Sequence, residues 1–280
     1  MRFDELSIET TRITFWGTRA ALEVSHPLPG VLRLRHLPSW SARAAGPRAL
    51  PAKHSWAVVE QRALPLSVRE EAREDVTVVV AEGLSLEVFR ATGAWVLREG
   101  GGGELARCEG FSGEMIPDYP VPRYHSRLAL HTPPDEAWLG FGEKVGVLDK
   151  RGMHFVFWNT DVVPHHPDTD PLYQSIPFCL GLRAGRAWGF YLDESWRMEV
   201  DVAAEDASLV QWKSAGPELD TYLIAGPRPE DVVRRYTALT GRPPLPPLWS
   251  LGAQQSRWGY ENAEEVRGIL HNYQIGRAHV

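Results

Sequence analysis

Two stretches of this 280-residue sequence concentrate side chains that could do chemistry. The first is 140–178. It opens with Gly140-Phe141-Gly142-Glu143, a turn-rich start, and reaches Trp158-Asn159-Thr160-Asp161, an aromatic beside three polar side chains. His165-His166-Pro167-Asp168-Thr169-Asp170 follows, dense in imidazole and carboxylate groups. Zinc takes three or four converging N, S or O ligands. Adjacent histidines rarely face one point, and no third histidine follows at helical spacing. This run is therefore read as a solvated loop, with Asp168 and Asp170 as turn residues, and no metal ligand set is assigned. The second stretch is Gln254-Gln255-Ser256-Arg257-Trp258-Gly259-Tyr260. It sits where a buried strand, expected over Leu248 to Trp258, hands over to a loop. In a (β/α)₈ barrel, active sites gather at the C-terminal ends of strands. Spacing alone leaves two roles open for Trp258: a wall for a ring-shaped ligand, or packing at the strand end.

The elements that must hold these residues are mostly strands. Val76 to Ala81 and Leu84 to Phe89 are β-rich runs split by Glu82-Gly83, and Trp95 to Arg98 ends at the tract Gly100 to Gly103. Short apolar or alternating runs parted by glycine turns predict hairpins, so the glycine tract is read as a hairpin loop. Ser126 to His131, Ile176 to Leu182 and Ala187 to Leu192 continue the pattern, with Gly185 suited to a tight turn. Trp196, Met198, Val200 and Val202 alternate on one face. Many short strands with frequent turns indicate a sandwich or barrel.

Near residue 226 the pattern changes. Pro229 at a first helical position, followed by Glu230 and Asp231, starts a helix; Val232, Tyr236 and Leu239 give it one apolar face, and Gly241 before Pro243-Pro244 stops it. Residues 242–247, Arg-Pro-Pro-Leu-Pro-Pro, form a stiff connector. Asn262 with Glu265 makes a capping-box-like start for a second helix, whose apolar face is Ala263, Val266, Leu270 and Tyr273. The expected organisation is a β-sandwich over 1–226, a helix and Pro-rich connector over 227–247, and a strand and helix, half of a β/α unit, over 248–273. Residues 274–280 end in Ile275-Gly276-Arg277-Ala278-His279-Val280, which back-translates to a common sequencing-adapter read, and are expected to be a non-native tail.

Composition bounds the function. Hydrophobic residues make up 43% and charged residues 24%, which excludes wholesale disorder. The net charge of −6 argues against a general nucleic-acid binder. No apolar run approaches the roughly 18 residues of a membrane helix, and Met1-Arg2-Phe3-Asp4-Glu5 has no apolar signal core. Two cysteines, Cys108 and Cys179, fit a reducing compartment; the expected location is cytoplasmic. Eleven tryptophans offer stacking surface for a ligand.

Several separated motifs agree in order and spacing. Gly140-Phe141-Gly142-Glu143, Trp158 to Asp161, Asp170-Pro171-Leu172-Tyr173-Gln174-Ser175-Ile176-Pro177-Phe178, the helix Pro229 to Gly241, Pro246 to Gly252 and Ser256 to Tyr260 together resemble glycoside hydrolase family 31, the α-glucosidase family. The resemblance runs from about 138 to 273. It implies a mainly β fold: a galactose-mutarotase-like β-sandwich followed by the first strand and helix of a truncated (β/α)₈ barrel. It implies retaining hydrolysis of α-glucosides, in which one carboxyl attacks the anomeric carbon and another donates, then removes, a proton. In the family both are aspartates on later barrel strands, and no residue here matches either, so no catalytic residue is assigned and this chain is expected to be inactive. Two substrate-binding positions carry over: Asp161, matching a sandwich-loop aspartate that bonds sugar hydroxyls, and Trp258, matching an aromatic that lines the sugar pocket. No cofactor or metal is implied. The expected partner is an oligosaccharide or α-glucoside, with no nucleic acid and no membrane, and a homo-oligomer is open for the parent. The competing reading is a free-standing carbohydrate-binding sandwich, motivated by the tryptophans.

Overall fold

The computed structural model describes residues 2–38, 50–51, 53–59, 62–70, 75–118, 123–256 and 258–277. These form two units, Met1–Arg242 and Pro243–Val280. The strands of the first are β1 (Phe3–Ile8), β2 (Arg12–Gly17), β3 (Ala20–Leu28), β4 (Val31–Pro38), β5 (Ser67–Glu70), β6 (Val76–Ala81), β7 (Leu84–Phe89), β8 (Trp95–Glu99) and β9 (Glu104–Ile116). They continue as β10 (Arg123–His131), β11 (Ala137–Gly140), β12 (Met153–Phe157), β13 (Phe178–Arg183), β14 (Arg186–Leu192), β15 (Met198–Val202), β16 (Leu209–Ser214) and β17 (Leu219–Ala225). All pairings are antiparallel, in two sheets ordered β1-β2-β3-β4-β17-β14-β13-β11 and β12-β15-β16-β10-β9-β8-β7-β6-β5.

The two inner faces meet over one apolar core in which Trp95, Trp138, Trp212, Phe15 and Phe190 are fully buried. Indole and benzyl groups bury the largest areas available to side chains, so several of the eleven tryptophans are core. The outer face of the first sheet carries a second apolar layer. Helix α1 (Pro229–Thr240) lays Val232, Tyr236 and Leu239 on Tyr191, Tyr222, Ile224 and Phe178, with Tyr236 and Phe178 stacked at 3.8 Å. β14 and β17 are thus covered on both sides. Phe190 and Leu223 point into the sandwich, while Tyr191 and Tyr222 point to the helix. This explains why their sequences read as unbroken apolar runs rather than alternation. Pro229 stands at the first position of α1 with Glu230 and Asp231 in the first turn, as the sequence predicts, and Arg228 is the N-cap residue.

The glycine tract is a hairpin loop between β8 and β9, and Gly185, at a φ of +76°, turns β13 into β14. In the second unit, helix α2 (Ala263–Arg277) forms, and its backbone runs through 274–277. One expectation is corrected there: Leu248 to Trp258 is not a strand. Leu248–Leu251 is a single 3₁₀ turn, and the described residues from 252 to 262 are irregular. A strand persists only where a neighbour completes its ladder, and no described strand pairs with this segment. Its backbone bonds locally instead, as in Gly252 N–H to Trp249 C=O at 3.4 Å.

Candidate functional site

Asp161 lies on the long loop between β12 and β13, and it is exposed. The loop is pinned at its base rather than free. Lys144 is buried beneath it and donates to Asp170 Oδ1 and to the Val156 carbonyl, both at 2.5 Å. Asp170 Oδ2 in turn accepts the Val156 N–H at 2.5 Å. The ammonium also sits 4.7 Å from the centre of the Phe157 ring, a favourable cation–π distance. A buried cation and a nearly buried carboxylate therefore tie the loop's return to the end of β12. Thr160 N–H donates to the Leu172 carbonyl at 2.9 Å, which closes the two limbs around Asp161.

The immediate neighbour of Asp161 is Tyr173. Its hydroxyl donates to the Val162 carbonyl at 3.2 Å. Partial desolvation, then a hydrogen bond with Asp161 and the charges of Asp161 and Glu143, push the phenol above its ordinary range. Glu143, from the first motif, accepts the Gln174 N–H at 2.6 Å. His165 stacks edge-on against Tyr173 at 5.5 Å. His165, His166 and Asp168 are exposed, whereas Asp170 is the loop's internal anchor rather than a simple turn residue. Such a rim presents carboxylate acceptors and a phenol to solvent, suited to hydrogen-bonding a polyhydroxylated ligand.

Beside this loop lies a groove of about 460 Å³ lined by Trp158, Asn159, Ser175, Glu194, Ser195 and Trp196. Both indoles are about half exposed. Burial pushes the Glu194 carboxyl up to about 7 against the opposing pull of Lys53, 2.6 Å away. The sequence reading missed Trp196 and Glu194 as lining residues. They sit in the β14–β15 connection and meet the Trp158 loop only through tertiary folding.

Trp258 belongs to the second unit, where its side chain is fully exposed; Arg257 lies outside the described residues. A groove in this unit is lined by Gln254, Gln255, Tyr260, Val266, Leu270 and Tyr273, among others, and Trp258 does not line it. One other cluster of potential metal ligands occurs among the described residues, His154 with Asp201 and Glu205; positions 154 and 201 are too far apart in sequence to be associated without the strand register.

Residues 21–201 match the glycosyl hydrolase 31 N-terminal galactose mutarotase-like domain, and residues 243–277 match the glycosyl hydrolases family 31 TIM-barrel domain. Alpha-glucosidase 2 of Bacillus thermoamyloliquefaciens is 44% identical over 153 residues, 54% of this chain and 19% of that protein. An alpha-glucosidase of Saccharolobus solfataricus is 36% identical over 128 residues, 46% of this chain and 18% of that protein. The solved dextranase of Flavobacterium johnsoniae complexed with glucose superposes with a TM-score of 0.82 at 22% identity, covering 98% of this chain and 32% of that one; at that identity the likeness is one of fold. The chain thus spans about a fifth of these curated relatives.

Proposed function

The chain belongs to glycosyl hydrolase family 31, and from that premise we propose that it is the N-terminal part of a retaining, α-glucosidase-type glycoside hydrolase. The parent would cleave α-O-glycosidic bonds of an oligosaccharide or α-glucoside. The observation that carries this reading is the pair of collinear family matches, sandwich over 21–201 and barrel over 243–277; Asp161 is exposed on a loop pinned by Lys144 and Asp170. Relatives named as α-glucosidases support the choice of bond. In this reading Asp161 accepts hydrogen bonds from sugar hydroxyls and Trp258 offers a ring face to the sugar. Neither is a nucleophile. The two-carboxyl chemistry of retention needs groups about 5–5.5 Å apart on either side of the bond, and no pair in this chain matches the family's two aspartates. Residues 1–280 alone should therefore show no turnover of an aryl α-glucoside; measurable turnover by the pure chain would overturn that claim. A gene product extended through a full barrel should hydrolyse the same substrate. There, Asp161→Asn should lower kcat/KM by at least about tenfold, the cost of a hydrogen bond to a charged group. The buried, unpaired Cys108 and Cys179 support a cytoplasmic location.

The groove bearing Trp158 and Trp196 favours a second reading, a free-standing carbohydrate-binding sandwich. Calorimetry with maltose separates the two: sub-millimolar binding by residues 1–280, abolished by Trp196→Ala, would favour the binding module.

A further inference from the structure

We propose that His154, Asp201 and Glu205 form a site for one divalent transition-metal ion, zinc foremost, on the outer face of the second sheet. The proposal stands independently of the glycosidase reading. His154 and Asp201 are directly opposed across the β12–β15 pair. Met153, Phe155 and Phe157 on β12, with Met198, Val200 and Val202 on β15, face the core. His154 and Asp201 therefore share the opposite face. Asp201 Oδ2 lies 3.1 Å from His154 Nε2. The chain after β15 turns back through Ala203, at a φ of +59°, and brings Glu205 over the pair. One ligand atom from each of the three residues lies within 4.8 Å of the others.

The Asp201 carboxylate is already oriented: its side chain is almost wholly buried, Oδ1 accepts the Ala204 N–H at 2.9 Å and Oδ2 the Glu205 N–H at 3.0 Å. Each oxygen keeps a lone pair. Outer hydrogen bonds of this kind fix a metal ligand in place. His154 and Glu205 are exposed, so an ion has a direct way in. Among the described residues, no lysine or arginine ion-pairs with Asp201 or Glu205, and the partner of Asp201 is the exposed imidazole of His154. One imidazole nitrogen with carboxylate oxygens suits zinc, cobalt or nickel, whereas calcium and magnesium favour all-oxygen shells of six or more ligands. Three protein ligands leave a position for water.

The consequence is mechanical. β12 is the edge strand of its sheet and runs directly into Trp158 and the Asp161 loop. A metal bridging His154 to Asp201 and Glu205 would clip that edge to β15 and its turn.

The test is calorimetric titration of Zn²⁺ into the chelator-treated 280-residue chain, with Co²⁺ absorption in the visible as a parallel readout. One equivalent should bind saturably and raise the melting temperature, since a ligand that binds only the folded state stabilises it. His154→Ala and Glu205→Gln should each weaken binding at least about tenfold and abolish the thermal shift. Both side chains are exposed, so both variants should keep the wild-type far-ultraviolet spectrum. The double variant His165→Ala/His166→Ala should bind as the wild type does. Absence of saturable binding, or wild-type affinity in either His154→Ala or Glu205→Gln, overturns the proposal.

Discussion

Lys144→Met should loosen the Asp161 loop more than removal of any carboxylate on its rim. The methionine fits the space against Phe155 and Phe157, but it leaves Asp170 without its cation in a nearly buried position. Breaking one half of such a pair costs about 3 kcal/mol, which urea unfolding would read as a lower midpoint. Adding Asp170→Asn should recover part of that loss, because the stranded charge is then gone; no recovery would mean the ion pair is not the anchor. Lys144 was legible in the sequence only as a residue next to a motif, since its partner lies 26 positions away. A second residue-scale effect concerns pH. His36 is fully buried, accepts from Trp95 Nε1 at 3.4 Å, and burial depresses its pKa to about 3. Between about pH 6.5 and 3 the unfolded chain binds a proton at this histidine that the folded chain refuses. The contribution of His36 to stability is therefore intact above about pH 6.5 and is lost as the pH falls. Glu194, raised to about 7, acts with the opposite sign: folding favours its protonated form, so it costs stability as the pH rises from about 4.5 to 7. The difference between wild type and His36→Gln isolates the histidine. Relative to wild type, the variant should gain about 2–3 kcal/mol on going from pH 7 to pH 4, and a pH-independent difference would refute the assignment.

At the scale of elements, α1 stays close to its sheet because position 189 of β14 has no side chain. A Cβ on Gly189 would come within 2.5 Å of Val232 Cγ1 on the helix. Gly189→Ala should cost about 1–3 kcal/mol through overpacking. In a Val232→Ala background the same change should cost clearly less, and an undiminished cost in that double-mutant cycle would mean the clash lies elsewhere. From residue 76 onward, β6, β7, β8, β10, β13, β14 and β15 are legible as apolar or alternating runs, whereas β9, β11, β12, β16 and β17 are not separately predicted. Leu84–Phe89 alternates buried and half-buried residues along its length, as period-two patterning demands. Two strands start later than their apolar pattern does: β13 at Phe178, after Pro177, and β15 at Met198. Trp196 belongs to the preceding turn and lines a groove, so its hydrophobicity reflects a surface rather than a strand. β1 to β5 are not separately predicted either; in β3 and β4 the chain is buried along nearly its whole length and shows no alternation to count. The expected strand at Leu248 to Trp258 rests on the order strand, loop, helix, and that order does not supply the hydrogen-bonding partner a strand requires.

For the whole molecule, the decisive contrast is where burial stops. The first unit contains the sandwich core and the α1 layer, whereas no described residue of the second unit is buried. Apolar side chains there, including Leu248, Trp249, Leu251, Leu270 and Tyr273, are mostly more than half exposed. Helix formation in water is marginal for lengths of about 12–15 residues without tertiary packing, and α2 has 15. Its opening should therefore cost on the order of 1 kcal/mol, while amides of β14 and β17 open only with global unfolding at about 5–15 kcal/mol. Since every 1.4 kcal/mol is tenfold, hydrogen exchange followed by mass spectrometry should show amides 263–273 at least about 100-fold less protected than amides 219–225. Chain lengthened through a complete barrel should raise the protection of 263–273, because a (β/α)₈ arrangement would cover Val266, Leu270 and Tyr273 and give 248–258 the neighbours a strand requires. Equal protection of the two segments in residues 1–280 would instead mean that the second unit buries its apolar face against something in this chain, and that the barrel is not needed to complete it.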